Sequence, residues 1–189
     1  MRKRPNRPID RTLFDFGEER VLDAAALDTP ERVLAYCQDQ GFFNGTITNI
    51  QGLIEDNPEL SLDFEDIGEY DAYIKKVGDN HFQIVINKKH SKTRQRFSMA
   101  HEYVHYQVHR KEIENMHLGE RILHRNEDRD SIEYQANQYA GEILMPETTF
   151  TQIAHEKNGD IPEIAKEFHV SPLAVRFRAK ILGISGHGL

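Results

Sequence analysis

What this chain has little of narrows it first. It holds one cysteine, Cys37, so no disulfide can form within it, and a reducing compartment such as the cytoplasm suits it. It has no apolar run near the roughly 18 residues that a membrane span requires. It has no basic excess either. A formal net charge of -7 speaks against a general nucleic-acid binder, because phosphate contact needs a basic surface. The basic stretch Arg2, Lys3, Arg4 and Arg7 is followed by no apolar segment, so it does not read as a signal peptide. With Pro5 and Pro8 beside those charges, it reads as a solvated arm. Internal repeats and low-complexity segments are absent. What is left, 38% hydrophobic and 29% charged residues in a chain of 189, suits one compact domain, alone or with a small appendage.

The punctuation residues divide the chain. Thr29-Pro30 reads as a helix N-cap with proline at the first helical position. Val33, Leu34 and Cys37 make an apolar stripe, and Gly41 can end that helix. A second short helix is predicted from about Thr46 to Glu55, stopped by Asn57-Pro58. Tyr70–Val77, the turn Gly78-Asp79-Asn80 and His81–Asn87 read as a β-hairpin, with Phe82, Ile84 and Ile86 on its buried face. A helix follows from about Lys92 to Arg110, its stripe marked by Phe97, Ala100, Val104 and Val108. Another is predicted from about Ser131 to Met145, with Ile132, Ala136, Tyr139, Ala140 and Ile143 inward. The polar stretch between them reads as loop or short helix. At the end, Ile161–Phe168, a tight turn at His169-Val170, the cap Ser171-Pro172 and Leu173–Leu182 resemble a helix-turn-helix.

One motif carries chemistry. His101 and His105 lie four residues apart, so a helix stacks both imidazoles on one face, where they can share a tetrahedral metal ion. Glu102 projects about 100° away, toward a water on the metal rather than the metal itself. With 10 histidines in the chain, random order would produce such an HExxH about once in twenty tries, so the motif needs support. The apolar stripe beside the histidines supplies some. Zinc also needs a third ligand. His109 is one turn further along and would reach past a metal held by the first pair. Glu133, ahead of Ala136 and Ala140, is the candidate from a second helix. Spacing alone leaves it balanced against a capping box with Asp130 as N-cap. Asn137, one turn after Glu133, is predicted to orient His101 or His105 through its other ring nitrogen. Tyr106, His109, His124 and Tyr139 are all candidates to stabilise an oxyanion.

The segments Ile84–Asn87, Arg94–Tyr106 with His109, Glu133–Pro146 and Ala165–Gly183 occur in an order that resembles the ImmA/IrrE family of zinc metallopeptidases. The resemblance covers about Tyr70 to Ile184. It implies one zinc ion per chain held by His101, His105 and Glu133, with Glu102 as the base. It also implies a protein substrate in the cytoplasm, a helix-turn-helix transcriptional repressor or an antitoxin. Two positions depart from the family's pattern: Val104 where a small residue is usual, and Gln135 where a second carboxylate often stands.

The fold expected is α+β and mostly helical. A small β-hairpin packs on the HExxH helix in a gluzincin-like way, and helix-turn-helix-like helices close the chain. The division expected is an arm at 1–28, a metallopeptidase domain at 29–158 and the C-terminal extension at 159–189. Two readings compete with the peptidase. One is a DNA-binding regulator using the tail, whose net charge of about +2 is small for phosphate contact. The other is a non-catalytic toxin–antitoxin interaction protein that keeps the metal site.

Overall fold

A computed structural model of the chain describes residues 27–114 and 127–184. The predicted N-terminal arm through residue 26 and the candidate His124 lie outside the described residues. The described chain runs α1 (Pro30–Asp39), α2 (Ile50–Glu55), β1 (Leu60–Glu65), β2 (Ala72–Gly78), β3 (His81–Asn87), α3 (Lys92–Val108), α4 (Arg110–Glu114), α5 (Glu127–Leu144), α6 (Glu147–Glu156), α7 (Ile161–Phe168) and α8 (Pro172–Ile181). It is the mostly helical α+β fold expected, with eight helices and one small sheet among the described residues.

The sheet has three strands in the order β1-β3-β2. β2 and β3 form the expected antiparallel hairpin, and β1 adds a parallel partner, with Leu62 opposite Ile84. That third strand was not among the sequence-based expectations. Its burial is incomplete toward Glu65, so it lacks the continuous apolar run that marks a covered parallel strand. β3 is central, which explains why Val85 is as fully buried as Phe82, Ile84 and Ile86.

Helix α3 packs against β2 and β3 on one side and against α5 on another. Its buried residues therefore extend well beyond the predicted stripe, to Gln95, Met99, Tyr103 and Tyr106. Phe97 and Val108 are only half-buried at the stripe's edge. Ser91 starts the helix, its hydroxyl accepting from the Arg94 N–H. Such a cap satisfies one of the free donors of a first turn. The predicted helix to Arg110 breaks at His109, which forms the C-cap and donates its own N–H to the His105 carbonyl at 2.9 Å.

Helix α5 begins at Glu127, four residues before the predicted start. Its Ala136 and Ala140 are fully buried. α6, between Pro146 and α7, was not foreseen. The predicted second helix shrinks to α2, capped by the Asn49 side chain accepting from the Gly52 N–H. The tail forms the expected pair, α7 and α8, joined through His169 in the left-handed region at φ 54. The tail is tied to the rest by the stacked rings of Phe150 and Phe168. Buried Arg178 adds a second tie, its Nε donating to the Met145 carbonyl at 3.0 Å.

The turn from β3 into α3 is held by polar groups. Asn87 is 0% exposed, and its Nδ2 donates to the carbonyls of Gly68 and Tyr70 at 3.0 and 2.7 Å. Gln95, on the first turns of α3, donates its Nε2 to the Asn87 carbonyl at 2.9 Å. Asn87 is buried but the carbonyls it serves lie on exposed residues, so its loss removes the hydrogen bonds while water can reach those acceptors. Asn87→Ala is therefore expected to lower unfolding free energy by roughly 1–3 kcal/mol. A denaturant titration should show a shifted midpoint at unchanged slope. Leu173→Ala, at a site 74% exposed, should stay within about 0.5 kcal/mol.

Candidate metal centre

The helical register of α3 sets the site. His101 and His105 stack along one face, ring centroids 4.6 Å apart, and their Nε2 atoms approach to 2.9 Å. α5 brings Glu133 across from the opposite side. Its Oε2 lies 3.1 Å from His101 Nε2 and its Oε1 3.4 Å from His105 Nε2. Glu133 sits in the second turn of α5, since the helix starts at Glu127. Asp130 lies inside that helix, so the capping-box alternative does not hold.

The three groups offer ligand atoms that all lie within 4.8 Å of one another. A tetrahedral ion with bonds of about 2.0–2.1 Å keeps its ligands about 3.3 Å apart. The observed separations of 2.9, 3.1 and 3.4 Å fit a small divalent cation. The donor chemistry, two imidazoles and a carboxylate, is that of a catalytic zinc site with its fourth position open to substrate or water. On its other side, His101 Nδ1 lies 3.1 Å from Asn137 Oδ1. An amide oxygen only accepts, so Nδ1 carries a proton, and loss of the second proton leaves on Nε2 the lone pair that a metal needs.

Glu102 is buried beside the histidines and points to the sheet. Alternation along an antiparallel pair turns every second amide of β2 away from β3, and the Ile74 N–H donates to the Glu102 carboxylate. Burial pushes the Glu102 carboxyl up to about 7, while the His101 charge and the Ile74 amide pull the other way. Such a value suits a group that must take and return a proton near neutrality. The hydrogen bonds from His101 and His105 hold the Glu133 carboxyl far below the usual range. Burial opposes charge on His101, yet its hydrogen bond to Glu133 and the nearby carboxylates outweigh this and raise its pKa. His105, more enclosed and next to two other imidazoles, shifts downward.

The other candidates are placed as follows. Tyr106 faces the sheet, its hydroxyl donating to Glu59 at 2.7 Å. Tyr139 packs against the apolar core. His109 stands behind His105, Nδ1 to Nδ1 at 3.1 Å. Val104 is taken into the core. Two participants escaped sequence reasoning, the Ile74 amide and the Gln135 side chain, whose Oε1 lies 3.0 Å from His109 Nε2. Neither carries a spacing signal, because both contacts depend on how separate elements cross.

Residues 60–180 match the family model described as the IrrE N-terminal-like domain. A solved structure, a Mycobacterium tuberculosis transcriptional regulator, is similar with a TM-score of 0.54 at 16% sequence identity. The match covers 69% of this chain and 39% of that one, so the chain spans about two fifths of the regulator's length. At that identity the likeness shows the fold alone. No curated protein matches the chain significantly.

The raised pKa of His101 has a consequence for metal uptake. A proton on this ring competes directly with a cation, and binding must expel it. Zinc affinity, measured by chelator competition, is expected to fall steadily from about pH 7.5 to pH 5. Affinity that stays flat across that range would rule out imidazole ligands.

Proposed function

We propose a function from one premise: the chain belongs to the IrrE N-terminal-like domain family of M78 peptidases. The function is zinc-dependent cleavage of a peptide bond in a partner protein, a helix-turn-helix repressor or an antitoxin. The observation that carries this reading is the convergence of His101, His105 and Glu133 next to a buried Glu102 whose pKa lies near neutrality.

The proposed ligands are His101 and His105 through Nε2, and Glu133 through its carboxylate. When bound, the ion supplies Lewis-acid chemistry, acidifying water and polarising a carbonyl. The protein does the rest. Asn137 holds His101 with its lone pair toward the site. Glu102 accepts a proton from the attacking water and delivers it to the departing amine, two roles that a carboxyl near pKa 7 can fill in turn. The Ile74 amide steadies Glu102 when charged and fastens its position to the sheet. Half-burial of His101 and Glu133 leaves the site open on one side, as a polypeptide substrate requires.

The tail fits partner docking better than DNA binding. Of its basic residues, Arg178 is buried and bound to Met145 and Glu142. Lys166, Arg176 and Lys180 remain exposed, a small charge for the phosphate contacts of a duplex.

The test is co-expression with a helix-turn-helix repressor encoded beside this chain, with the products mapped by mass spectrometry. One defined cut is expected, from protein carrying close to one zinc per chain. Glu102→Gln should retain the zinc and lose cleavage by roughly 10²–10⁴-fold. Normal cleavage by metal-free protein, or by Glu102→Gln, would sink the proposal.

A further inference from the structure

The orientation of His105 rests on a chain of hydrogen bonds that no part of the HExxH pattern contains. His105 Nδ1 lies 3.1 Å from His109 Nδ1, and His109 Nε2 lies 3.0 Å from Gln135 Oε1. His105 and His109 are both buried. Their rings sit at 5.1 Å between centroids.

The donors follow in order from the far end. The Gln135 carbonyl oxygen only accepts, so His109 Nε2 carries the proton. In the tautomer with its proton on Nε2, His109 has a bare Nδ1, which accepts. His105 Nδ1 must therefore donate, and the lone pair of His105 falls on Nε2. This is the atom that faces His101 Nε2 and Glu133. The opposite assignment, with the Gln135 amide nitrogen toward His109, reverses every step and leaves a proton on His105 Nε2, aimed into the site. His109 is well placed to transmit the choice. As the C-cap of α3 it is held by its backbone as well as its ring.

We infer that His109, set by Gln135, is the positioning residue that fixes the tautomer of His105 and presents its Nε2 lone pair to the metal. The inference rests on the zinc reading above and assigns His109 a role away from the reacting atoms. His101 and His105 thus receive matching outer partners from one helix, Asn137 for the first and, through His109, Gln135 for the second. Both come from α5, which also delivers Glu133.

Outer partners of this kind typically change metal affinity by about 10–100-fold when removed. Three variants of the full chain separate the possibilities. His109→Leu removes the acceptor. Gln135→Met removes the far oxygen at a half-buried site where folding should survive. Gln135→Glu keeps an acceptor in place. Zinc affinity by chelator competition is expected to weaken about 10–100-fold in the first, at least severalfold in the second, and to stay near the parent value in the third. Long-range proton–nitrogen NMR of the zinc-loaded chain should show His105 protonated at Nδ1 and free of a proton at Nε2. That Nδ1 proton should exchange faster in Gln135→Met. Unchanged affinity and unchanged exchange in Gln135→Met, or a His105 ring bound through Nδ1, would overturn the inference. A parent chain that takes up no zinc would instead defeat the functional reading. The relay would then be judged on metal-free protein, where a proton on His105 Nε2 contradicts it.

Discussion

Everything at the site depends on how closely α5 lies against α3. Ala136 and Ala140 on one helix and Ala100 on the other are fully buried. Small side chains at a helix contact let backbones approach, since the distance between axes follows the residues between them. That approach places Glu133 within 3.1–3.4 Å of two histidine nitrogens. It also places Asn137 on His101 and Gln135 on His109. One rigid helix thus supplies a proposed ligand and both outer acceptors, and a shift of that helix would disturb all three together.

The other side of α3 answers to the sheet. β3 runs through the centre, and β2 turns its free amides toward the helix. Ile74 holds Glu102 there. The Asn87 and Gln95 bonds fix the angle at which α3 leaves the sheet. α3 is therefore clamped between a sheet that holds the proposed base and a helix that holds the proposed third ligand. Preorganisation of this kind costs nothing at the moment of reaction, because the groups are already in place. Burial around Glu102 raises its pKa, while ion pairing lowers that of Glu133. Two carboxylates on neighbouring helices are pushed apart, which matches the different tasks proposed for them.

Much of this was legible in the sequence because it is local. Helix periodicity around His101, the N-cap at Thr29, the hairpin ending at Asn87 and the paired helices at Ser171-Pro172 each depend on a few adjacent residues. Asn137 could be assigned because it lies one turn from Glu133. What the sequence hid is the product of crossings. β1 joins β3 across an intervening strand, so no adjacent pattern marks it. α5 begins ahead of its apolar stripe, and its start was misplaced by four residues. That displacement is what left Glu133 balanced between ligand and cap. Gln135 shares no face with Glu133 by spacing, and its contact with His109 follows from where α3 ends.

The central claim is that His101, His105 and Glu133 hold one catalytic cation. Anomalous diffraction at the zinc edge, from crystals of the zinc-loaded chain, tests it directly. The account predicts a single strong peak about 2.0–2.2 Å from His101 Nε2, His105 Nε2 and a Glu133 oxygen, with one coordination position open toward solvent. A peak held by other residues, or one that includes the two histidines while Glu133 turns away, would contradict it.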